Sequence, residues 1–125
     1  MLTSYTLGVL LFSQAGLATA VIDQDRFTQT DEVAYQEISD GRGAAAAEAI
    51  ERLLENQPGD PALLINLAAA QIQLGRYDRA AEAYRQAIAS EVRYDLELAD
   101  GRWADSRLAA RRGLETLEGQ VLAMR

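Results

Sequence analysis

The fold of this chain is decided by LGRYDRAAEAY, residues 74–84, a run of small residues with one glycine and two tyrosines. The apolar residues before it keep helical spacing, and Gly75 is expected to end that helix in the left-handed conformation. We expect Asp78 to cap a second helix that runs to about Ser90. Helices joined by so short a turn pack antiparallel. The alanines of this stretch therefore mark places where two helix backbones come close.

The same unit occurs 34 residues earlier in the chain. Gly41-Arg42 falls on Gly75-Arg76, and the alanines at 46, 47 and 49 fall on those at 80, 81 and 83. The helix of the later unit begins at Asp60-Pro61, where Asp accepts hydrogen bonds from free backbone N–H groups and Pro fits the first helical position. Helix, glycine turn and helix agree together at one period, which indicates a structural repeat.

A repeat of this length and pattern resembles the tetratricopeptide repeat family. The unit 61–94 matches well, whereas 27–60 is degenerate because Gly43 and Ile50 replace aromatic residues. The resemblance implies an all-α fold, a short α-solenoid of antiparallel helix pairs, whose concave face binds extended peptides or other proteins. The residues that carry it are Leu67, Ala68, Gly75, Tyr77, Ala80, Tyr84 and Ala87.

The segment after the second unit does not keep the period, because its glycine turn recurs after 26 residues instead of 34. Apolar and charged residues alternate within residues 92–99, which is typical of a strand, and Asp100-Gly101 is a favourable two-residue turn. We predict a short hairpin with Leu98 opposite Trp103. Trp103 is expected to pack in the core beneath it, with partial exposure as a contact residue as the alternative for this side chain. A short irregular helix over 92–99 is the alternative.

The N-terminus resembles a secretory signal peptide. An apolar run is followed by Ala18-Thr19-Ala20, the small-x-small pattern after which signal peptidases cut. The usual positive charge in front of the run is missing, so an uncleaved membrane anchor and an ordinary first helix are alternatives. With cleavage after Ala20 we expect a periplasmic or secreted protein. The predicted organisation is a signal-like segment 1–20, a linker 21–26, repeats 27–60 and 61–94, a hairpin or irregular connection 95–104, and a C-terminal capping helix 105–125.

The amino-acid composition excludes several kinds of partner and of catalytic or metal site. A net charge of −7 argues against nucleic acid and against an anionic membrane surface. All twelve basic residues are arginine, and the chain has no cysteine or histidine, which excludes disulfides, the usual zinc sites and a Ser–His relay. The carboxylates lie at helical spacing with arginines between them, the pattern of a solvated face. We therefore predict no enzyme activity, no metal site and no cofactor.

The family resemblance places the candidate binding residues on the first helix of each unit. Asn66 matches a position where many members have an asparagine that hydrogen-bonds a peptide backbone; an exposed polar residue without such a role is the equal alternative. No basic residue surrounds it, so the groove is expected to be apolar with an acidic entrance, suited to a hydrophobic or basic segment. The predicted partner-binding set is Asn66, Ile65, Ala69 and Gln73 in the second unit, with Tyr35 and Glu32 in the first.

The partner expected for such a groove is a protein or peptide. Two repeats and a last helix barely reach the number of units that a solenoid needs for stability. The alternative function is therefore a structural or oligomerisation subunit, which docks through its repeat edge to its own copy, as a homodimer, or to a larger envelope assembly.

Overall fold

The structure is a computed structural model that describes residue 38 and residues 40–97 and 102–125. The predicted signal-like segment, the linker, and Tyr35 and Glu32 lie outside the described residues. The elements, in chain order, are helix α1 (Gly43–Asn56), helix α2 (Pro61–Gln73), helix α3 (Tyr77–Ala89), strand β1 (Asp95–Glu97), strand β2 (Trp103–Asp105) and helix α4 (Ser106–Ala123). The predicted solenoid-like helical fold, with a small hairpin before the last helix, is confirmed.

The turns between the helices form where the sequence places them. Asp60 caps α2, because one carboxylate oxygen accepts from the backbone N–H groups of Ala62 and Leu63 at 2.9 and 3.2 Å. Gly75 ends the same helix with φ at +69°, and Gly41 repeats that conformation in the first unit with φ at +76°. Both values lie in the left-handed region that glycine adopts without steric cost. The 34-residue period is therefore visible in the backbone itself.

The predicted cap of α3 is wrong. This helix begins at Tyr77, and the residue before it, Arg76, makes no side-chain capping hydrogen bond. Asp78 lies inside the first turn instead. A carboxylate in that turn still interacts favourably with the positive end of the helix dipole, so the acidic residue stabilises the same end of α3 by another route.

Helix α2 is the centre of the described molecule. It packs against α1, α3 and α4, and each of its residues is buried or half-buried. Against α3 the contact consists largely of small side chains, because Ala68 on α2 and three alanines of α3 (Ala80, Ala83 and Ala87) are buried in one cluster. A second cluster joins α2 to α1 through Ala46, Ile50 and Leu63. A helix that is apolar all round is typical of such a position.

The hairpin is present, but its register differs from the prediction by one residue. Trp103, for which the sequence predicts Leu98 as the partner, pairs with Glu97, and Leu96 pairs with Ala104. Since side chains alternate between the two faces of a strand, a slip of one residue moves a side chain to the opposite face. Leu96 is fully buried, whereas Trp103 is 65% exposed. The expectation that Trp103 packs in the core is therefore wrong.

Helix α4 closes the described structure against α3. Asp105 caps it by accepting from the backbone N–H groups of Arg107 and Leu108 at 3.0 and 3.2 Å. Gly113 lies against the ring of Tyr84, where a Cβ atom would come within 2.5 Å of the ring. Glycine at this position allows α4 to approach α3.

Candidate functional site

The predicted binding residues on α2 divide into two groups. Asn66 and Gln73 are half-buried and lie two helical turns apart, which places them on the same face of α2. We call this pair the polar edge of α2. Ile65 and Ala69 are each 1% exposed, because they pack in the core. Their side chains therefore do not form the open apolar groove that the sequence predicts, and their role in partner binding stays a prediction.

Gln73 is fixed by the first repeat. Its amide nitrogen donates to the backbone oxygen of Ile38 at 2.8 Å. The same side chain also lies against Gly43, where a Cβ atom would approach its Cβ and Oε1 to 3.0 Å. These contacts hold the end of α2 against the start of α1, so the polar edge lies at the junction of the two repeats. A residue placed at that junction has a defined orientation before any partner arrives.

A second surface, which the sequence did not indicate, is a groove of about 370 Å³ between α1 and α3. We call it the interhelix groove. It is lined by Glu51 from α1, by Leu67 and Gln71 from α2, and by Asp78, Arg79, Glu82, Ala83 and Gln86 from α3. One feature of the sequence could have indicated this groove. Gln71 interrupts the apolar run of α2 four residues after Leu67, so the two side chains are neighbours on one face of the helix.

The walls of the interhelix groove combine an apolar base with an acidic rim. Leu67 is half-buried and Ala83 is buried, whereas Glu51, Asp78 and Glu82 are exposed. Arg79 is the basic residue among those that line it. Three carboxylates and one guanidinium give this opening a negative balance, which favours cationic groups near it.

Two other polar clusters join elements of the fold. Asp60, the cap of α2, also accepts a hydrogen bond from the Tyr94 hydroxyl at 3.1 Å. Asp105, the cap of α4, forms an ion pair with Arg93 at 2.9 Å. Burial raises the pKa of Asp105, but hydrogen bonds from Leu108, Arg93 and Arg107 and the charge of Arg93 outweigh that effect, so its pKa lies below the ordinary value. Both clusters are accounted for by helix capping.

The buried tyrosine of the core is not poised for acid–base chemistry. Tyr84 is 1% exposed, and burial raises the pKa of its phenol well above the ordinary value. Among the described residues, no three carboxylates come together in a way that could hold a metal ion. None of the helices in the described ranges is long and apolar enough to cross a membrane.

Helix pairs joined by left-handed glycine turns, and stacked with a 34-residue period, define a helical repeat protein. A model of the tetratricopeptide repeat family matches residues 37–102, just over half of the chain. The chain belongs to the tetratricopeptide repeat family. No curated protein and no solved structure matches it. Repeats of this family generally mediate protein–protein interaction, and members are typically scaffolds without enzyme activity.

Proposed function

We propose that this chain is a non-enzymatic adaptor that acts outside the cytoplasm and binds a peptide or protein segment along the polar edge of α2. The observation that carries the proposal is the position of Asn66, a half-buried polar side chain on a mostly apolar, buried helix, on the face of α2 whose end Gln73 fixes to the first repeat. Asn66 supplies both a donor and an acceptor for a peptide backbone. Tyr35 and Glu32, which the sequence predicts as further contact residues, lie outside the described residues.

The location outside the cytoplasm rests on the N-terminal sequence. An apolar run that ends in Ala18-Thr19-Ala20 supports export and cleavage. Mass measurement of the chain purified from its native host tests this part of the proposal. We expect a mature N-terminus at Val21, and a chain that begins at Met1 would contradict secretion.

Binding is tested with Asn66→Ala and a matched control, Gln120→Ala, which removes a half-buried polar side chain from α4. Candidate segments are captured from the cell-envelope fraction, identified by mass spectrometry, and then titrated as purified peptides by calorimetry. Loss of one backbone hydrogen bond is expected to weaken binding roughly five- to tenfold in Asn66→Ala, with the control unchanged. Equal affinities for wild type and Asn66→Ala would contradict the proposed site.

A second candidate function, self-association, is favoured by the exposed apolar residues near the hairpin. Trp103 is 65% exposed and Leu108 is 42% exposed, and tryptophan is enriched among residues that anchor interfaces. As a structural subunit the chain would form dimers at micromolar concentration in light scattering. Trp103→Glu would then convert dimers to monomers, whereas a wild-type protein that remains monomeric at high concentration would exclude this alternative.

A further inference from the structure

Gln71 is a buried amide whose side-chain oxygen has no partner in the part of the chain that the structure describes. The residue is 2% exposed, and among the described residues its Oε1 atom accepts no hydrogen bond. Buried polar atoms are nearly always paired, because an unpaired one loses its hydration without compensation. Gln71 lines the interhelix groove. Oε1 is covered in the free protein, so a donor in that groove reaches it once the Gln71 side chain turns, and the new bond then restores what burial has removed.

The charges around the groove select the kind of donor. Glu51, Asp78 and Glu82 are acidic and exposed at its rim, against a single basic residue, Arg79. An anionic group would be repelled by this rim, and a neutral donor would gain nothing from it. A cation with N–H donors satisfies both the amide oxygen and the negative rim.

The shape of the groove favours a long side chain with a cationic end. Its base carries Leu67 and Ala83, which offer apolar contact to methylene groups. Arginine combines a three-carbon stem with five N–H donors in a planar fork. One guanidinium can therefore bond the amide oxygen of Gln71 and a rim carboxylate at the same time, which a compact ammonium group does less well.

We propose that the interhelix groove binds an arginine side chain of a partner protein, with the guanidinium donating to Oε1 of Gln71. This inference rests on the proposed protein-binding function but assigns a different surface. Gln71 lies five residues after Asn66, so the two side chains point about 140° apart around α2. A partner that used both surfaces would contact α2 from two sides of the repeat.

The test is a titration of the full chain, labelled with nitrogen-15, followed by NMR. The probe is N-acetyl-arginine amide, and its neutral control is N-acetyl-citrulline amide, which keeps the shape but not the charge. We expect saturable shifts of the Gln71 side-chain amide and of the backbone amides of Leu67 and Ala83 with the arginine probe. Binding of the citrulline probe should be at least roughly fivefold weaker, since hydrogen bonds to charged groups are the stronger ones. Equal shifts with both probes would overturn the assignment.

Variants distinguish the contribution of the Gln71 amide to binding from that of nonspecific charge attraction. Gln71→Met keeps the length of the side chain and removes the acceptor, and it should weaken the arginine probe roughly tenfold. Glu82→Gln should weaken it roughly two- to fivefold, whereas Glu115→Gln, which removes the same charge from an exposed site on α4, should leave it unchanged. Equal effects of the two glutamate variants would show nonspecific attraction and would overturn the proposal.

Stability gives an independent readout. If Oε1 of Gln71 is unpaired in the free protein, Gln71→Met should raise the thermal unfolding midpoint by a few degrees. A lower midpoint, or a variant that does not fold, would show that the amide oxygen is already satisfied, and the proposal would fail. A segment that still binds through Asn66 while the arginine probe does not bind would overturn this inference alone and leave the proposed function intact.

Discussion

The two contacts made by helix α3 achieve close packing in different ways. Towards α2, several alanines, among them Ala68, Ala80 and Ala87, share the contact. Towards α4, one large ring, Tyr84, lies directly against Gly113. The α2–α3 contact therefore needs small side chains at several positions along a helix face. The α3–α4 contact needs one at a single position, Gly113. The α3–α4 contact should accordingly be the more sensitive of the two to one substitution.

The largest expected effect is that of Gly113→Ala. The new Cβ would come within 2.5 Å of the buried Tyr84 ring, and such overpacking costs about 2 to 3 kcal/mol of unfolding free energy, more than alanine gains in helix propensity. Urea unfolding of the full chain measures the loss. An unchanged or higher stability would show that α4 does not depend on this contact.

The matched control is Gly119→Ala in the same helix. In the described part of the chain, no atom outside its own stretch of helix lies within 4 Å of the position where its Cβ would be, so we expect a gain of about 0.5 to 1 kcal/mol from helix propensity. In a Tyr84→Leu background the cost of Gly113→Ala should fall, because the ring that it meets is gone. Equal costs in the two backgrounds would contradict the steric explanation.

Some features of the fold could be predicted from the sequence, and others, such as the role of Gly113, could not. The period of 34, the turns at Gly41 and Gly75 and the cap at Asp60 could be predicted, since each depends on local backbone chemistry. The register of the hairpin could not, because the choice between Glu97 and Leu98 opposite Trp103 depends on how Leu96 packs beneath the sheet. The importance of Gly113 depends on a ring 29 positions earlier in the chain, and helix propensity carries no information about that contact.

The candidate site was less predictable than the fold. Asn66 and Gln73 were chosen through the family resemblance, and they are half-buried on one face of α2. Ile65 and Ala69 were expected on an open face, but α2 is surrounded by three helices, and so much burial cannot be inferred from the spacing of apolar residues alone. Gln71 was missed because its lack of a partner is a property of the packed structure.

The second prediction extends the comparison to the caps of α2 and α4. Asp60 is buried and also bonded to Tyr94, whereas Asp105 is partly exposed and paired with Arg93. Asp60→Ala should lower the unfolding free energy by about 1 to 2 kcal/mol, measured by urea denaturation.

Tyr94→Phe measures one part of this loss in unfolding free energy. It removes only the hydrogen bond from the Tyr94 hydroxyl to Asp60 and should cost about 1 kcal/mol. The double variant should cost less than the sum of the two single variants, because both break the same bond. Strict additivity would show that the link between the cap and the hairpin segment contributes nothing to stability.

The smallest expected effect is the pH dependence due to Asp105. Because its pKa is lowered in the folded chain, its contribution is fully present above the ordinary carboxyl pKa and is lost as the pH falls below about 4 towards the folded-state value. Asp105→Asn keeps a capping oxygen but carries no charge, so its stability should fall less steeply with acid than that of the wild type. The difference at pH 7 should be about 0.5 kcal/mol or less, since solvent screens the pair with Arg93.

Salt provides the check on this last prediction. Adding 1 M NaCl, about one order of magnitude above physiological ionic strength, should shrink the difference between wild type and Asp105→Asn, because exposed ion pairs are strongly screened there. Identical acid unfolding curves for the two proteins would show that the charge of Asp105 does not contribute to stability.

Ser90, at the end of α3, connects three separate segments. Its hydroxyl donates to the backbone oxygen of Gly59 in the loop before α2, and accepts from the backbone N–H of Val92 at 3.2 Å. Its own backbone oxygen accepts from the side chain of Arg107 on α4 at 2.8 Å. Helical repeats usually interact only with their neighbours and can lose structure one after another from an end. With Ser90 joining the start of one repeat to the helix beyond it, the second repeat and α4 should instead melt as one cooperative unit, with a single amide-exchange protection level across both.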